Sequence, residues 1–481
     1  MSSEVLSTSS LRARSPWPVI LTVCLGAFVG QVDASIVQLA LPALEKAFDA
    51  RLDAVSWVAI AYSLAFASAL PVFARLAEMG GRKKLYVSGF ALFGLFSAAC
   101  GLATSLGWLI GFRALQGASG AMLGANSVVI LVTAAGAALR GRAMGVFSTA
   151  QAIGICVGPV IGGLILGSLT WPWIFWVTVP VAAVATVLGM KLVPPDEAPR
   201  RRAEFDVLGA VLLVPCLAAF LLAITELQTW GPPVIAALVL AVVVLGVAFV
   251  VRERRTPAPL LNLELFRSRA FSGGIVAVLL SYAMLYGIFF VMSFVLVRGY
   301  GDSPLSAGLH LVVIPLALGV LAPFAGGWAE RRPRAVMVTG MALCFVAIWP
   351  LRLALTGDPS TMPVVLLALA AYGAGLGCFI APNNTATLKA APPERAGQAG
   401  GLLNLLRAFG TATGIAVMSA VLTAAIAAAL GHPVGTHQVP PSVLLDGART
   451  SLLVLAGFAV LAAVAATLRD RPAPVAGQRV G

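Results

Sequence analysis

The chain is a succession of apolar runs, most of them about 20 residues or longer, separated by short polar gaps. A helix needs about 20 mostly apolar residues to cross a hydrocarbon core about 30 Å thick, because each residue advances it by about 1.5 Å. Such runs lie at 18–42, 53–74, 84–104, 107–133, 142–167, 172–191, 206–226, 232–251, 271–297, 305–328, 334–355, 361–388, 397–429 and 449–468. Only 11% of the residues are charged, against about 25% in soluble domains. A water-facing surface cannot be covered with so little charge, so lipid must solvate most of the chain. The expected fold class is all-α integral membrane, with about 14 transmembrane helices.

The basic residues orient these helices. Of 32 Lys and Arg residues, about 25 fall in every second gap, in clusters such as Arg82-Lys83-Lys84, Arg140/Arg142, Arg200-Arg201-Arg202, Arg252/Arg254/Arg255 and Arg331/Arg332/Arg334. About five (Lys46, Arg51, Arg298, Arg352 and Arg449) fall in the alternate gaps, and two, Arg113 and Arg407, lie inside runs. Cytoplasmic loops carry the Lys/Arg excess, so the expected topology is multi-pass with both termini cytoplasmic. The Ala, Gly and Arg content suggests a bacterial source, hence the cytoplasmic membrane. The net charge of +13 would suggest nucleic acid in a soluble chain. Here the charge is divided among short gaps, and no nucleic-acid partner is expected.

Enzymatic classes lack their residues. The six cysteines are scattered one to a run, the three histidines form no HExxH pattern, and no GxxxxGK[ST] run binds ATP phosphates. The expectation is no enzyme, no metal and no cofactor. A scaffold or sensor would need a sizeable soluble domain, and the longest polar gaps hold fewer than about twenty residues.

An internal repeat is visible in two turns, Ala74-Arg75-Leu76-Ala77-Glu78-Met79-Gly80-Gly81-Arg82-Lys83-Lys84 and Gly326-Gly327-Trp328-Ala329-Glu330-Arg331-Arg332-Pro333-Arg334. Each follows an even-numbered run and places an acid before bases. Parallel repeats are a recognised transporter plan. The expected organisation is a tail at 1–17, a six-helix bundle at 18–191, a linker with two inserted central helices at 192–255, a second six-helix bundle at 256–468, and a tail at 469–481.

Several motifs on these runs resemble the fourteen-span drug:proton antiporter branch of the major facilitator superfamily. Val32-Asp33-Ala34-Ser35-Ile36-Val37-Gln38-Leu39-Ala40-Leu41-Pro42 is similar to the branch's first-span signature, and Arg113-Ala114-Leu115-Gln116-Gly117 to its RxxQG motif. Gly154-Ile155-Cys156-Val157-Gly158-Pro159-Val160-Ile161-Gly162-Gly163 fits the antiporter motif GxxxGPxxGG, and the segment Arg395–Gly401 with Asn404 and Arg407 follows the branch pattern. Departures include Ala74, Glu78 and Met79 where the branch has Gly, Asp and Arg, and Pro172 where it has Arg. The resemblance implies a proton-gradient-driven exporter, with Glu78, Gly81, Arg82 and Lys83 in a cytoplasmic gate loop. It also implies that the helix bearing Gly154, Gly158, Pro159, Gly162 and Gly163 seals one state of alternating access.

Asp33 is the acidic residue set deepest in a run. Ionised at the centre of a lipid-facing helix it costs about 2.5–3.5 kcal/mol on insertion scales, so it should face a cavity or a partner. Counting about 1.5 Å per residue from either membrane surface puts Asp33 and Arg113 at comparable depth. The pair is expected to couple protons to cargo; the competing reading is a static ion pair that orients helices. Candidate cavity residues are Tyr62, Gln116, Asn126, Tyr282, Tyr286, Phe290, Asn383, Asn384 and Asn404. The function expected is export of lipophilic drugs or toxins, cationic ones included, in exchange for protons. The alternative is carriage of another small solute, such as a sugar, amino acid, siderophore or dedicated antibiotic. Expected partners are that small molecule, protons and membrane lipid, with a monomer sufficient.

Overall fold

A computed structural model of the chain describes residues 15–195, 206–256, 259–431 and 436–467. Residues 1–14, Arg200-Arg201-Arg202, His432 and the tail expected at 469–481 lie outside the described residues. Every regular element among the described residues is helical. The principal helices are α1 (Trp17–Ala47), α2 (Leu52–Gly80), α3 (Arg82–Gly101), α4 (Leu106–Ser168), α5 (Trp173–Trp176), α6 (Thr178–Leu192), α7 (Val207–Thr225) and α8 (Pro232–Arg255). They continue with α9 (Arg269–Phe294), α10 (Pro304–Arg331), α11 (Pro333–Ala354), α12 (Met362–Lys389), α13 (Ala396–Leu430) and α14 (Pro441–Thr467).

Two predicted runs, 107–133 and 142–167, fall within the single 63-residue α4. A straight helix of that length would measure about 95 Å, three times the hydrocarbon core. Gly136 breaks it: φ 62° and ψ −176° are non-helical, a left-handed value that glycine adopts without a Cβ penalty. The limbs 106–135 and 137–168 therefore cross separately. Counting α5 and α6 as one crossing, the described helices make fourteen.

The ends of the runs shift. Hydropathy closes the first run at Pro42, yet α1 continues through the proline to Ala47, carrying Glu45 into a buried position. α14 begins at Pro441, eight residues before the predicted 449. Its first turns are two-faced: Leu444, Leu445 and Ala448 are buried while Asp446 and Arg449 are exposed or half-exposed. A one-dimensional average reads those charges as a loop.

α1 to α6 pack on one another, and α9 to α14 on one another, as two bundles. The bundles meet where α2 lies on α13, α4 on α10, and α1 on α9. α7 and α8 pair as a hairpin, with α7 touching α2 and α13, one helix from each bundle. α8 turns almost all of its surface outward and buries only Phe249 and Glu253, as a lipid-facing apolar helix should.

Close approaches between backbones repeat from bundle to bundle. A Cβ on Gly154 or Gly158 would strike the Phe28 carbonyl or the Ser35 hydroxyl of α1, and one on Gly410 or Gly414 of α13 would strike the Leu279 or Ala283 carbonyl of α9. Likewise Gly117 of α4 lies on the Tyr62 carbonyl of α2, and Gly373 of α12 on the Ile314 carbonyl of α10. Small residues allow helix backbones to meet in this way. The shared register sets Arg113-Ala114-Leu115-Gln116-Gly117 against Leu369-Ala370-Ala371-Tyr372-Gly373, and Asp33 against Met284.

The seam between the bundles is tied at the face poor in Lys and Arg. The Glu45 carboxylate accepts from the Thr436 backbone N–H at 2.5 Å and from the Thr436 hydroxyl. Arg298 donates to the Pro42 carbonyl at 3.1 Å, His437 meets Asp49 at 3.1 Å, and the Pro159 carbonyl packs on Gly308. At the opposite, Lys/Arg-rich face, Gly80, Gly326, Gly327, Gly397, Gly400 and Gly401 border open space.

Candidate functional site

Four helices converge on Asp33. Its carboxylate is 0% exposed and the Arg113 side chain 1%, so the pair is shut from both lipid and water. Arg113 Nη1 donates to Asp33 Oδ2 at 2.7 Å, and Gln116 Nε2 donates to Asp33 Oδ1 at 2.9 Å. The same Arg113 nitrogen donates to Gln116 Oε1 at 2.7 Å, while Arg113 Nε donates to the Val58 carbonyl of α2 at 3.1 Å. Gln116 Nε2 also reaches the Ser97 hydroxyl of α3 at 3.1 Å, and Ser97 in turn bonds Thr178 and the Phe175 carbonyl. The guanidinium lies over the Tyr62 ring at 4.3 Å from its centroid. Burial of a charge is tolerable when it is paired and its other sites are hydrogen-bonded; here both carboxylate oxygens are occupied.

The equivalent place in the second bundle carries no charge. Met284 stands for Asp33, Leu369 for Arg113 and Tyr372 for Gln116, and the Tyr372 hydroxyl donates to the Met284 carbonyl at 3.2 Å. The charged clasp belongs to one bundle alone.

The expected cavity residues divide into two groups. Tyr62, Tyr282, Tyr286 and Asn404 gather near the seam between bundles. The Tyr286 hydroxyl donates across it to Gln31 Oε1 of α1 at 3.3 Å, and the Tyr282 ring faces the Arg407 guanidinium at 4.8 Å. Gln116, Asn126, Phe290 and Asn383 are instead fully buried, which corrects their placement on an open wall. Gln116 belongs to the Asp33 clasp. Asn126 donates to the Met122 carbonyl of its own helix, Asn383 to the Gly274 carbonyl of α9, and Phe290 packs on Phe294. Amides in spanning helices commonly serve helix packing in this way. Asn384 is half-buried.

The glycine-rich limb of α4 fits between the bundles. Gly154, Gly158 and Gly162 receive Phe28, Ser35 and Ile36 of α1, whereas Gly163 receives Pro304 and Leu305 of α10. In the turn between α2 and α3, Glu78 pairs with Arg75 at 2.9 Å, Gly81 turns the chain at φ 101°, and Arg82 and Lys83 begin α3.

Sequence reasoning missed Gln31, Ser97 and the Val58 carbonyl, none of which carries a charge. It also missed Glu45, although an acid three residues past a predicted run end was a signal. Glu226, just past the end of α7, is half-buried and accepts from Trp57 Nε1 of α2 at 3.0 Å, pinning the α7–α8 hairpin to the first bundle.

Two bundles joined at a seam, with polar groups held inside the membrane, define a multi-pass membrane transporter of small molecules rather than an enzyme. The chain belongs to the Major Facilitator Superfamily, whose sequence profile matches residues 23–415. It is 33% identical over 414 residues to the tetracenomycin C resistance and export protein of Streptomyces glaucescens, covering 85% of this chain and 76% of that one. It is 29% identical over 406 residues to the riboflavin transporter RibZ of Clostridioides difficile, covering 84% and 88%. The fold is shared with a bacterial homolog of the human lysosomal transporter Spinster in an inward-facing conformation, with a TM-score of 0.66, 17% identity, and coverage of 96% and 99%.

Proposed function

We propose that this transporter is a proton-coupled antiporter that exports lipophilic drugs or toxins from the bacterial cytoplasm by alternating access. It would sit in the cytoplasmic membrane with both termini inside, divided at the boundaries expected from the sequence, and would need no cofactor beyond the proton gradient. The observation that carries this reading is the Asp33 clasp, a fully buried carboxylate whose two oxygens are held by Arg113 and Gln116. Ionised Asp33 ties α1 to α4 and, through Arg113 and the Val58 carbonyl, to α2. Protonation cancels the negative charge and leaves the guanidinium buried without a counter-ion. Breaking a buried pair from one side costs about 3–5 kcal/mol, enough to change the ratio of two packings by a factor of about 100 or more. Each protonation state thereby favours its own arrangement of the helices.

The glycine limb supports the same reading, because it packs on the helix that carries Asp33 and touches α10 of the other bundle. A shift at Asp33 therefore has a direct path to the seam. The ties of Glu45 to Thr436 and of Arg298 to the Pro42 carbonyl hold the seam together at the Lys/Arg-poor face. Export, as opposed to uptake, is favoured by the likeness to the tetracenomycin exporter.

The test is dye efflux from proteoliposomes under an imposed pH gradient. Wild-type protein is expected to move dye against its gradient, and Asp33→Asn to lose at least about 100-fold of that coupled rate while still inserting. Full gradient-driven transport by a correctly inserted Asp33→Asn protein would remove the carboxylate from the mechanism.

A further inference from the structure

Arg407 is the second guanidinium set inside the spanning region, about 16 Å along α13 from its first residue. Unlike Arg113, it has no carboxylate within ion-pair distance among the described residues. The acids nearest the membrane interior are otherwise engaged: Asp33 with Arg113, Glu45 with Thr436, Asp53 with Arg51, and Glu226 with Trp57 and Thr229. Arg407 makes one long hydrogen bond, from Nη1 to Asn404 Oδ1 at 3.3 Å, and stands at 4.8 Å from the centre of the Tyr282 ring. A guanidinium offers five N–H donors. Arg407 is half-buried, whereas the unbonded Nε atoms of Arg51, Arg298 and Arg449 are sealed in packing.

The surroundings are those of a ligand site. Tyr282 and Tyr286 are one helical turn apart on α9. The Tyr286 hydroxyl reaches across the seam to Gln31 of α1, two residues before Asp33. Arg407, Asn404, Tyr282, Tyr286 and Gln31 thus bring donors and aromatic faces from both bundles to one place. A cationic cargo would call for a free carboxylate such as that of Asp33. The structure closes that carboxylate behind Arg113, and the free charge of the seam is positive.

We propose that this cluster binds the anionic group of an aromatic cargo, a carboxylate or an acidic phenol, with Arg407 as its counter-ion and Tyr282 and Tyr286 against its rings. A planar guanidinium accepts a carboxylate through two parallel hydrogen bonds, and Asn404 already orients one edge of it. The claim rests on the proposed export of lipophilic molecules and specifies the charge of what is exported.

Equilibrium binding tests it without any proton gradient, so the result is independent of whether transport is proton-driven. Full-length protein in nanodiscs is titrated with fluorescein, an anionic aromatic dye, and with ethidium, a cationic one, each followed by fluorescence anisotropy at neutral pH. Saturable fluorescein binding is expected in the wild type. Arg407→Gln should weaken it by at least about tenfold, the usual worth of a hydrogen bond to a charged group, with ethidium affinity changed by less than about twofold. Arg407→Lys, which keeps the charge but not the fork, should fall between them. No saturable fluorescein binding by the wild type, an Arg407→Gln affinity equal to wild type, or an equal loss for both dyes would overturn the proposal.

Discussion

Gln116 is placed to hold both members of the buried pair at once. Its carbonyl accepts from Arg113 while its amide donates to Asp33 and to Ser97. Gln116→Leu fills similar space but leaves Asp33 Oδ1 and one Arg113 donor without a partner. An unsatisfied buried polar group costs about 1–3 kcal/mol. The detergent-solubilised variant should unfold at a correspondingly lower midpoint, and an unchanged midpoint would show that the amide carries no part of the clasp. The Asp33–Arg113 pair was legible because charges inside apolar runs stand out and their depths can be counted. Gln116 was assigned to the cavity wall because depth alone does not give azimuth. The missing signal was its spacing: Arg113 and Gln116 are three residues apart, on one face of a helix, so a partner for one is in reach of the other.

At the scale of elements, the limb at 137–168 is defined by what its glycines admit. The Ser35 hydroxyl already occupies the position where a Gly158 side chain would begin, and the Ser35 oxygen also lies 3.4 Å from the Gly154 carbonyl. Gly158→Leu must therefore push α1 away, at an overpacking cost of about 1–3 kcal/mol or more, and would displace the helix that bears Asp33. Insertion should survive, since added apolar volume does not oppose it. Gradient-driven dye efflux should drop by at least about tenfold, and wild-type efflux in an inserted Gly158→Leu protein would remove this contact from the transport cycle. The existence of the helices was plain from run length alone. Their ends were not, because Pro42 sits inside α1 and Asp446 inside α14: a buried prolyl turn and a two-faced turn both look like loops to an average over residues.

Across the whole molecule, the bundles repeat in backbone packing but not in charge. The repeat was faintly legible in the turns around Glu78 and Glu330. The glycine contacts that express it lie between residues far apart in the chain, beyond the reach of local patterns. The asymmetry has a mechanical consequence. With the charged clasp confined to the first bundle, the second follows through the seam, and the ties at the Lys/Arg-poor face must release for that face to open. Glu45 is the central tie: it is buried, and it accepts two hydrogen bonds from Thr436 of the other bundle. Glu45→Gln removes the charge from both hydrogen bonds to Thr436 and obliges its hydroxyl to accept where it now donates. Hydrogen bonds to a charged group contribute about 1.5–3 kcal/mol, so the population open at that face should rise by about tenfold or more. Ala43 lines the same seam with Leu39, Pro42 and Arg298, and a cysteine there, Ala43→Cys, reports exposure. Added outside intact cells, a membrane-impermeant maleimide should label Ala43→Cys at least about five times faster when Glu45→Gln is also present, with the unsubstituted protein giving the background from its own cysteines. Equal labelling rates in the two backgrounds would mean that the seam is held elsewhere, by Arg298 on Pro42 or by the packing of Pro159 on Gly308.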